Sequence, residues 1–261
     1  LIQGDTLRVL SEMPDASVDA VVTDPPYSSG GQYRGDRTAA VSDKYQNSDS
    51  ASEYPEFYGD TRDQRSYVAW CSQWLAEAWR VAVDGAPLVV CIDWRMLPSM
   101  TDAIQCGGWV WRGIVPWAKP NARRQPGRFA ASCEFALWGS KGAMPMDRGA
   151  DVNMGAMPGY FVANSVPSKD RQHVTEKPES IMRELIKIVR PGDLILDPFA
   201  GACTTAIAAL IEGRRFTGIE MSAEYFEISC GRIRSLENLT HRKTGAAQGG
   251  LFTAQAQEPK T

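Results

Sequence analysis

Asp24-Pro25-Pro26-Tyr27 closes an apolar run, Val18-Asp19-Ala20-Val21-Val22-Thr23. A strand that ends this way carries tools for gripping an exocyclic amine on a nucleobase. Such an amine is a poor nucleophile because its lone pair is delocalised into the ring. To make it react, a protein must accept hydrogen bonds from its N–H groups and draw the nitrogen towards tetrahedral geometry. Asp24 offers a carboxylate acceptor. Pro25 offers a backbone carbonyl, and Pro26 holds Pro25 extended and removes a competing N–H. Tyr27 offers a flat ring for a base taken out of its stack. Asp and Pro are also ordinary turn residues, so the tetrapeptide alone reads equally as a strand-to-turn stop.

A second constellation lies far downstream. Leu194-Ile195-Leu196-Asp197 runs into Pro198-Phe199-Ala200-Gly201-Ala202-Cys203-Thr204-Thr205 and then Ala206-Ile207-Ala208-Ala209-Leu210-Ile211. The pattern predicts strand, small-residue turn and helix, a geometry that brings backbone N–H groups to a polar or anionic ligand group. Arg214 to Glu220 predicts the next strand, and an acid at that strand end suits ribose hydroxyls. The turn has one glycine where a dinucleotide fingerprint has three. Taken alone, it fits any tight αβ crossover.

The elements that must position these residues follow from periodicity. Val68, Cys71, Leu75, Ala78, Trp79 and Ala82 recur at helical spacing, with Trp70 and Trp74 beside them as core filling. Pro87–Ile92 predicts a buried strand, Met96–Ile104 a helix, Trp109–Trp117 and Ala131–Trp138 two more strands. Glu179–Val189 and Ala223–Leu236 predict helices. Residues 28–66 are rich in Ser, Asp, Gly, Tyr and Arg and begin at the mouth of the tetrapeptide. They predict either a mobile cover over the site or a disordered segment. Residues 143–170 lack periodicity and suit a small target-recognition segment. Little order is expected from about Asn238 onward.

Composition narrows the class. Hydrophobic residues make up 43% of the 261, enough for a sizeable core, and no apolar run approaches membrane-spanning length. No secretory signal is visible at the N-terminus. The chain starts at Leu1, which suggests that an initiating segment is missing. Cys71, Cys91, Cys106, Cys133, Cys203 and Cys230 are scattered without a C-x-x-C pair, which disfavours zinc and a disulfide framework and suits a reducing cytosol. None follows a proline, so the Pro-Cys nucleophile of cytosine-C5 methylation is absent. The net charge of −3 hides a division. Residues 112–171 carry 9 Lys and Arg against 4 Asp and Glu, while 1–111 carry 8 against 16 and 172–261 carry 11 against 11. A local basic surface suffices for phosphate contact. Lys119 to Arg128, with Arg123, Arg124 and Arg128, is the most suggestive stretch, and a solvated basic loop is an equal reading.

In combination the motifs resemble the S-adenosylmethionine-dependent amino-methyltransferases of DNA. The resemblance rests on Gly4-Asp5-Thr6-Leu7-Arg8-Val9-Leu10, Met13 to Asp19, Asp24 to Tyr27, His173-Val174-Thr175-Glu176-Lys177-Pro178, Asp197 to Thr205 and Gly218-Ile219-Glu220. Their order is similar to the β group of that family, and they cover roughly half the chain. Val174 stands where the family often has proline, and Cys203 where it often has a second glycine or small residue.

The resemblance implies an α/β fold, a Rossmann-like methyltransferase sheet with inserted loops and a small target-recognition segment. It implies core parts at 1–27, 67–120 and 172–237, a loop near the active site at 28–66, a target-recognition and DNA-contact region at 121–171 and a flexible tail at 238–261. It further implies catalysis by Asp24, Pro25, Pro26 and Tyr27 on double-stranded DNA, with S-adenosylmethionine held by Asp5, Thr6, His173, Lys177, Asp197, Phe199, Gly201, Thr204, Thr205 and Glu220. In that scheme Lys177, His173, Thr204 and Thr205 take the methionine carboxylate, Glu220 the ribose and Asp5 the adenine. No metal is required. The setting implied is the cytoplasm of a bacterium or a phage host, and a homodimer is a further expectation, supported by the aromatic surplus of Trp70, Trp74 and Trp79. Adenine N6 leads over cytosine N4, because the cytosine enzymes often place Ser at the position of Asp24. A DNA-binding regulator without catalysis, and an enzyme for RNA or protein glutamine, are the remaining alternatives.

Overall fold

The computed structural model describes residues 1–28, 60–144, 157–166, 177–244 and 254–256. Its elements are β1 (Ile2–Gln3), α1 (Thr6–Glu12), β2 (Ala20–Thr23), α2 (Gln64–Val81), β3 (Pro87–Ile92), α3 (Leu97–Cys106), β4 (Val110–Ala118), β5 (Cys133–Ser140), β6 (Phe161–Val162), α4 (Glu179–Ile186), β7 (Leu194–Asp197), α5 (Thr204–Ile211), β8 (Arg215–Glu220), α6 (Ala223–Thr244) and β9 (Gln255–Ala256). The described strands form one nine-stranded sheet in the order β6-β4-β5-β3-β2-β7-β8-β1-β9. All pairings are parallel except those of β5, which runs against both β3 and β4.

The inner strands are apolar on both sides because helices cover both faces. Val21, Leu88, Val90, Leu196 and Ile219 face α1, α2 and α3, where Trp74 and Leu75 fill the core. Ala20, Val22, Val89, Cys91 and Ile195 face α4 and α5, against Ile181, Met182 and Ile186. Local chemistry fixes the helix starts. Asp5 caps α1 by accepting from the Arg8 N–H, and Asp63 caps α2 by accepting from the N–H groups of Arg65 and Ser66. At the far end of α3, Gly107 lies so close to α2 that a Cβ would sit 2.6 Å from Leu75 Cβ.

Strand order creates the crevice. From β7 the chain winds through α5 to β8 on one side; from β2 it winds through α2 to β3 on the other. β2 and β7 are parallel neighbours, with Val21 opposite Leu196. The topology therefore reverses between them, and ligands of open α/β sheets bind outside the carboxyl ends at such a point. Asp24 and Asp197 stand at those two ends.

The sequence expectation for the tail needs correction. Helix α6 extends to Thr244 rather than stopping near Leu236, and Gln255 and Ala256 pair with Ile2 and Gln3. β1 would otherwise leave its outer backbone groups unpaired, and this short strand covers them. Strands of two residues are too short to show a periodicity. The aromatic surplus on α2 is divided by the fold. Trp74 is fully buried and Trp70 packs against Phe199, while Trp79 remains exposed, with the Lys141 ammonium 4.1 Å from its ring centroid. Of the three tryptophans, Trp79 is the one that leaves apolar surface open to a partner. Among the described residues no helix is long and apolar enough to cross a membrane.

Candidate active site

The switch-point crevice is a single cleft lined by Asp5, Thr6, Asp24–Tyr27, Lys177, Phe199, Gly201, Thr204, Thr205 and Glu220, among others. The sequence places all of these at the site, and the fold gathers them from opposite ends of the chain. His173 lies outside the described residues, as does 29–59, the greater part of the expected cover.

One wall is the turn after β7. Asp197 is buried, and its carboxylate turns inward. Its Oδ1 accepts from the Thr23 hydroxyl at 2.6 Å and from the Phe199 N–H at 3.0 Å. Burial pushes its acid up to about 6, against these hydrogen bonds and one from Thr205. Asp197 therefore braces β2, β7 and the turn together, and it also lines the cleft where a cofactor contact is expected of it. The turn itself requires left-handed backbone at Gly201 (φ 51°) and at Cys203 (φ 61°). Cys203 thus occupies the conformation that favours glycine, which is the physical content of the glycine expected there. Gly218 on β8 passes beneath: a Cβ on it would meet the Phe216 ring at 2.6 Å and Ala200 Cβ at 2.9 Å.

Glu220 closes this wall. Its Oε2 accepts from the Gly201 N–H at 2.8 Å and its Oε1 from the Ser222 N–H at 2.7 Å. Burial still pushes its acid up, so the carboxylate gains from further donors. Thr6 ties α1 to the turn, its hydroxyl donating to the Pro198 carbonyl at 2.7 Å. Asp5, as the cap of α1, opens onto the same cleft.

The other wall is the tetrapeptide. The Tyr27 hydroxyl donates to Asp24 Oδ1 at 2.7 Å, and the Lys177 ammonium donates to Asp24 Oδ2 at 2.8 Å. Burial and the neighbouring Asp24 push the Tyr27 phenol well above its usual range. The same ammonium lies 4.9 Å from the Tyr27 ring centroid and 3.2 Å from Glu134 Oε2. The resemblance implies Lys177 at a methionine carboxylate. It lines the cleft, and its ammonium sits between the carboxylates of Asp24 and Glu134.

Several cleft residues escape sequence reasoning. Trp70, which reads as core filling, lines the cleft and meets Phe199 at 5.4 Å between ring centroids. Phe199 also packs edge-on against Trp74 at 5.1 Å. Asp60 and Arg62 line the mouth, where Asp60 accepts from the Ser28 N–H at 2.7 Å and Arg62 lies over Trp70. Their signal is hidden in a polar stretch. Glu134 has one visible signal, a lone carboxylate inside the apolar strand Cys133-Glu134-Phe135-Ala136-Leu137.

Arg123, Arg124 and Arg128 are exposed on the connection between β4 and β5. Register fixes which edge this is. Thr23 lies opposite Val90, Ile92 opposite Phe135, and Cys133 opposite Ala118. The carboxyl ends of β2, β3 and β4 and the amino end of β5 therefore share one rim, and the basic connection rises from the rim that carries Asp24.

Fold and cleft together define a doubly wound α/β protein that brings Asp24–Tyr27 and the Glu220 carboxylate to one cleft. The chain belongs to the DNA methylase family of N6 and N4 amino-methyltransferases, which it matches over residues 18–230. Over 98% of its length it is 28% identical to YubD of Escherichia coli (strain K12), a protein with a methylase name, covering 98% of that protein. It superposes with a TM-score of 0.64 on TTHA0409 of Thermus thermophilus, named as a DNA modification methylase and solved with S-adenosyl-L-methionine, at 20% identity and 98% coverage of both chains. It superposes with a TM-score of 0.66 on the PvuII DNA methyltransferase, named as cytosine-N4-specific, at 18% identity, covering 92% of this chain and 91% of that one.

Proposed function

We propose that this DNA methylase transfers a methyl group from S-adenosylmethionine to N6 of an adenine in double-stranded DNA, after the base has swung out of the helix into the cleft. The observation that carries this reading is the single cleft shared by Asp24–Tyr27, the Phe199–Thr205 turn and Glu220. Acting on DNA, the protein would work in the cytoplasm of a bacterium or phage host.

The cleft fits the cofactor chemically. Glu220 accepts from the backbone N–H groups of Gly201 and Ser222, and its remaining lone pairs can take donors of a ribose diol. Gly201 would place a Cβ in open space, so the turn can approach a ligand closely. Thr204 and Thr205 begin α5, whose N-terminus favours a carboxylate. Asp5 can accept from an adenine amine. When bound, the cofactor supplies a methyl group activated by its sulfonium.

The chain's own residues then supply alignment and acceptors. Asp24 and the Pro25 carbonyl take the two N–H groups of the target amine, and the Tyr27 ring stacks on the base. A carboxylate at position 24, rather than the hydroxyl often found in cytosine enzymes, favours adenine. Arg123, Arg124 and Arg128 hold phosphates at the same rim.

Expression of the chain in a host without modified bases, followed by nucleoside mass spectrometry and sequencing that detects modified positions, tests this. N6-methyladenine in a fixed sequence context is expected. N4-methylcytosine in its place would overturn the adenine assignment, and neither base would overturn catalysis on DNA.

A further inference from the structure

Glu134 lies on β5, away from every motif described above, yet it reaches the tetrapeptide through Lys177. Its Oε1 accepts from the Lys119 ammonium at 2.8 Å, and its Oε2 lies 3.2 Å from the Lys177 ammonium. Lys177 is nearly buried and donates to Asp24 Oδ2 at 2.8 Å. Two ammoniums and two carboxylates thus alternate from Lys119 through Glu134 and Lys177 to Asp24, and their charges balance. Tyr27 completes the chain on Asp24 Oδ1.

We propose that Glu134 is a positioning residue for methyl transfer: it shares the Lys177 ammonium with Asp24, so that Asp24 is held in place while keeping acceptor capacity for the target amine. The inference rests on the reading of Asp24 as the amine acceptor. Without Glu134, Lys177 would have Asp24 as its one strong acceptor and would compete with the incoming amine for Oδ2. Burial and two ammoniums act on Glu134 in opposite directions, and the ammoniums win: its acid falls to about 2. Burial would lower the Lys177 ammonium, but Asp24 and Glu134 raise it well above the usual range. Glu134 and Lys177 therefore stay charged at any working pH. Lys119 also anchors the basic connection, its N–H donating to the Ser132 carbonyl at 2.7 Å. The chain of charges thereby begins at the root of the segment that carries the arginines.

The test combines Glu134→Gln, Lys177→Met and the double variant. Single-turnover methyl transfer is measured with saturating S-adenosylmethionine and DNA, and cofactor affinity by calorimetry. Glu134→Gln is expected to slow transfer at least tenfold with cofactor affinity within twofold of the parent, and Glu134→Asp to recover part of the rate. The double variant is expected to be no slower than Lys177→Met alone, because Glu134 acts through Lys177. A Glu134→Gln rate within twofold of the parent, or losses that multiply in the double variant, would overturn the inference. The clamp is also read without turnover. The Lys177 ammonium, held by two carboxylates, gives an exchange-protected 15N–1H resonance in the parent that disappears in Glu134→Gln. A parent with no transfer to any DNA overturns the proposed function; a parent with no protected resonance overturns the role of Glu134.

Discussion

Tyr27 and Asp24 hold each other: the phenol donates to Oδ1 of the carboxylate at 2.7 Å. The ring that should stack on a base and the carboxylate that should take its amine are thus partners through the hydroxyl, which lies apart from the stacking face. The hydroxyl and the ring therefore have separable effects. Tyr27→Phe keeps the ring and frees Oδ1, and its kcat/KM is expected to stay within about threefold of the parent. Tyr27→Ala removes the stack, worth about 1–3 kcal/mol per base, and should lose roughly 10- to 100-fold. Steady-state kinetics on one duplex substrate checks both. Equal losses in the two variants would assign the effect to the hydroxyl.

Glu220 braces the turn and, in the proposed function, takes the ribose. Glu220→Ala frees the Gly201 N–H and removes the acceptors for a ribose diol. Affinity for S-adenosylmethionine is expected to fall at least tenfold, about 1.4 kcal/mol. Glu220→Gln, which keeps one acceptor oxygen, should fall less. Asp24→Ala should leave affinity intact while abolishing transfer. Calorimetry on the three variants separates cofactor binding from chemistry, and unchanged affinity in Glu220→Ala would remove it from the cofactor site.

The three rim arginines should report themselves through salt. Each phosphate contact contributes roughly 0.9 to the slope of log affinity against log salt concentration. Replacing Arg123, Arg124 and Arg128 together with Ala is expected to weaken duplex binding and flatten the slope by up to about 3. Fluorescence anisotropy across a salt series measures it. An unchanged slope would make the connection a solvated surface.

Asp197 gives a pH signature to stability. Burial raises its acid in the fold from an ordinary 3.8 to about 6. The folded protein then holds the proton more tightly than the unfolded chain, so this group favours folding at low pH. Its contribution is fully present below about pH 4 and is lost as pH rises through about 6. The span corresponds to about 3 kcal/mol. Asp197→Asn, which keeps an acceptor for Thr23 and Phe199, removes the titration. Melting curves from pH 4 to 7 should show the parent declining relative to the variant. Parallel curves would mean that Asp197 is ionised throughout.

The site is more legible in sequence than its internal wiring. Asp24, Phe199 and Glu220 announce themselves because each ends a strand or sits in a turn whose residue types serve one chemistry. The central strands are equally plain, since β2, β3 and β7 are continuous apolar runs. Lys177 reads as a cleft residue, but its ion pair with Glu134 does not, because sequence order cannot show that Glu134 of a reversed strand arrives beside it. Asp197 reads as a cleft residue, but its partners Thr23 and Phe199 come from a packing that no spacing encodes. The pairing of Gln255 and Ala256 with Ile2 and Gln3 depends on an exposed edge that exists only after the sheet has formed.

Ser28 and Asp60 meet through one hydrogen bond of 2.7 Å. The backbone therefore departs from the rim and returns to it at almost the same point. The two ends of the connection are thereby tied to each other. Loop-closure entropy grows slowly, about 0.6 kcal/mol per doubling of length. With both ends fixed at the rim, a change in the length between them therefore costs little closure entropy.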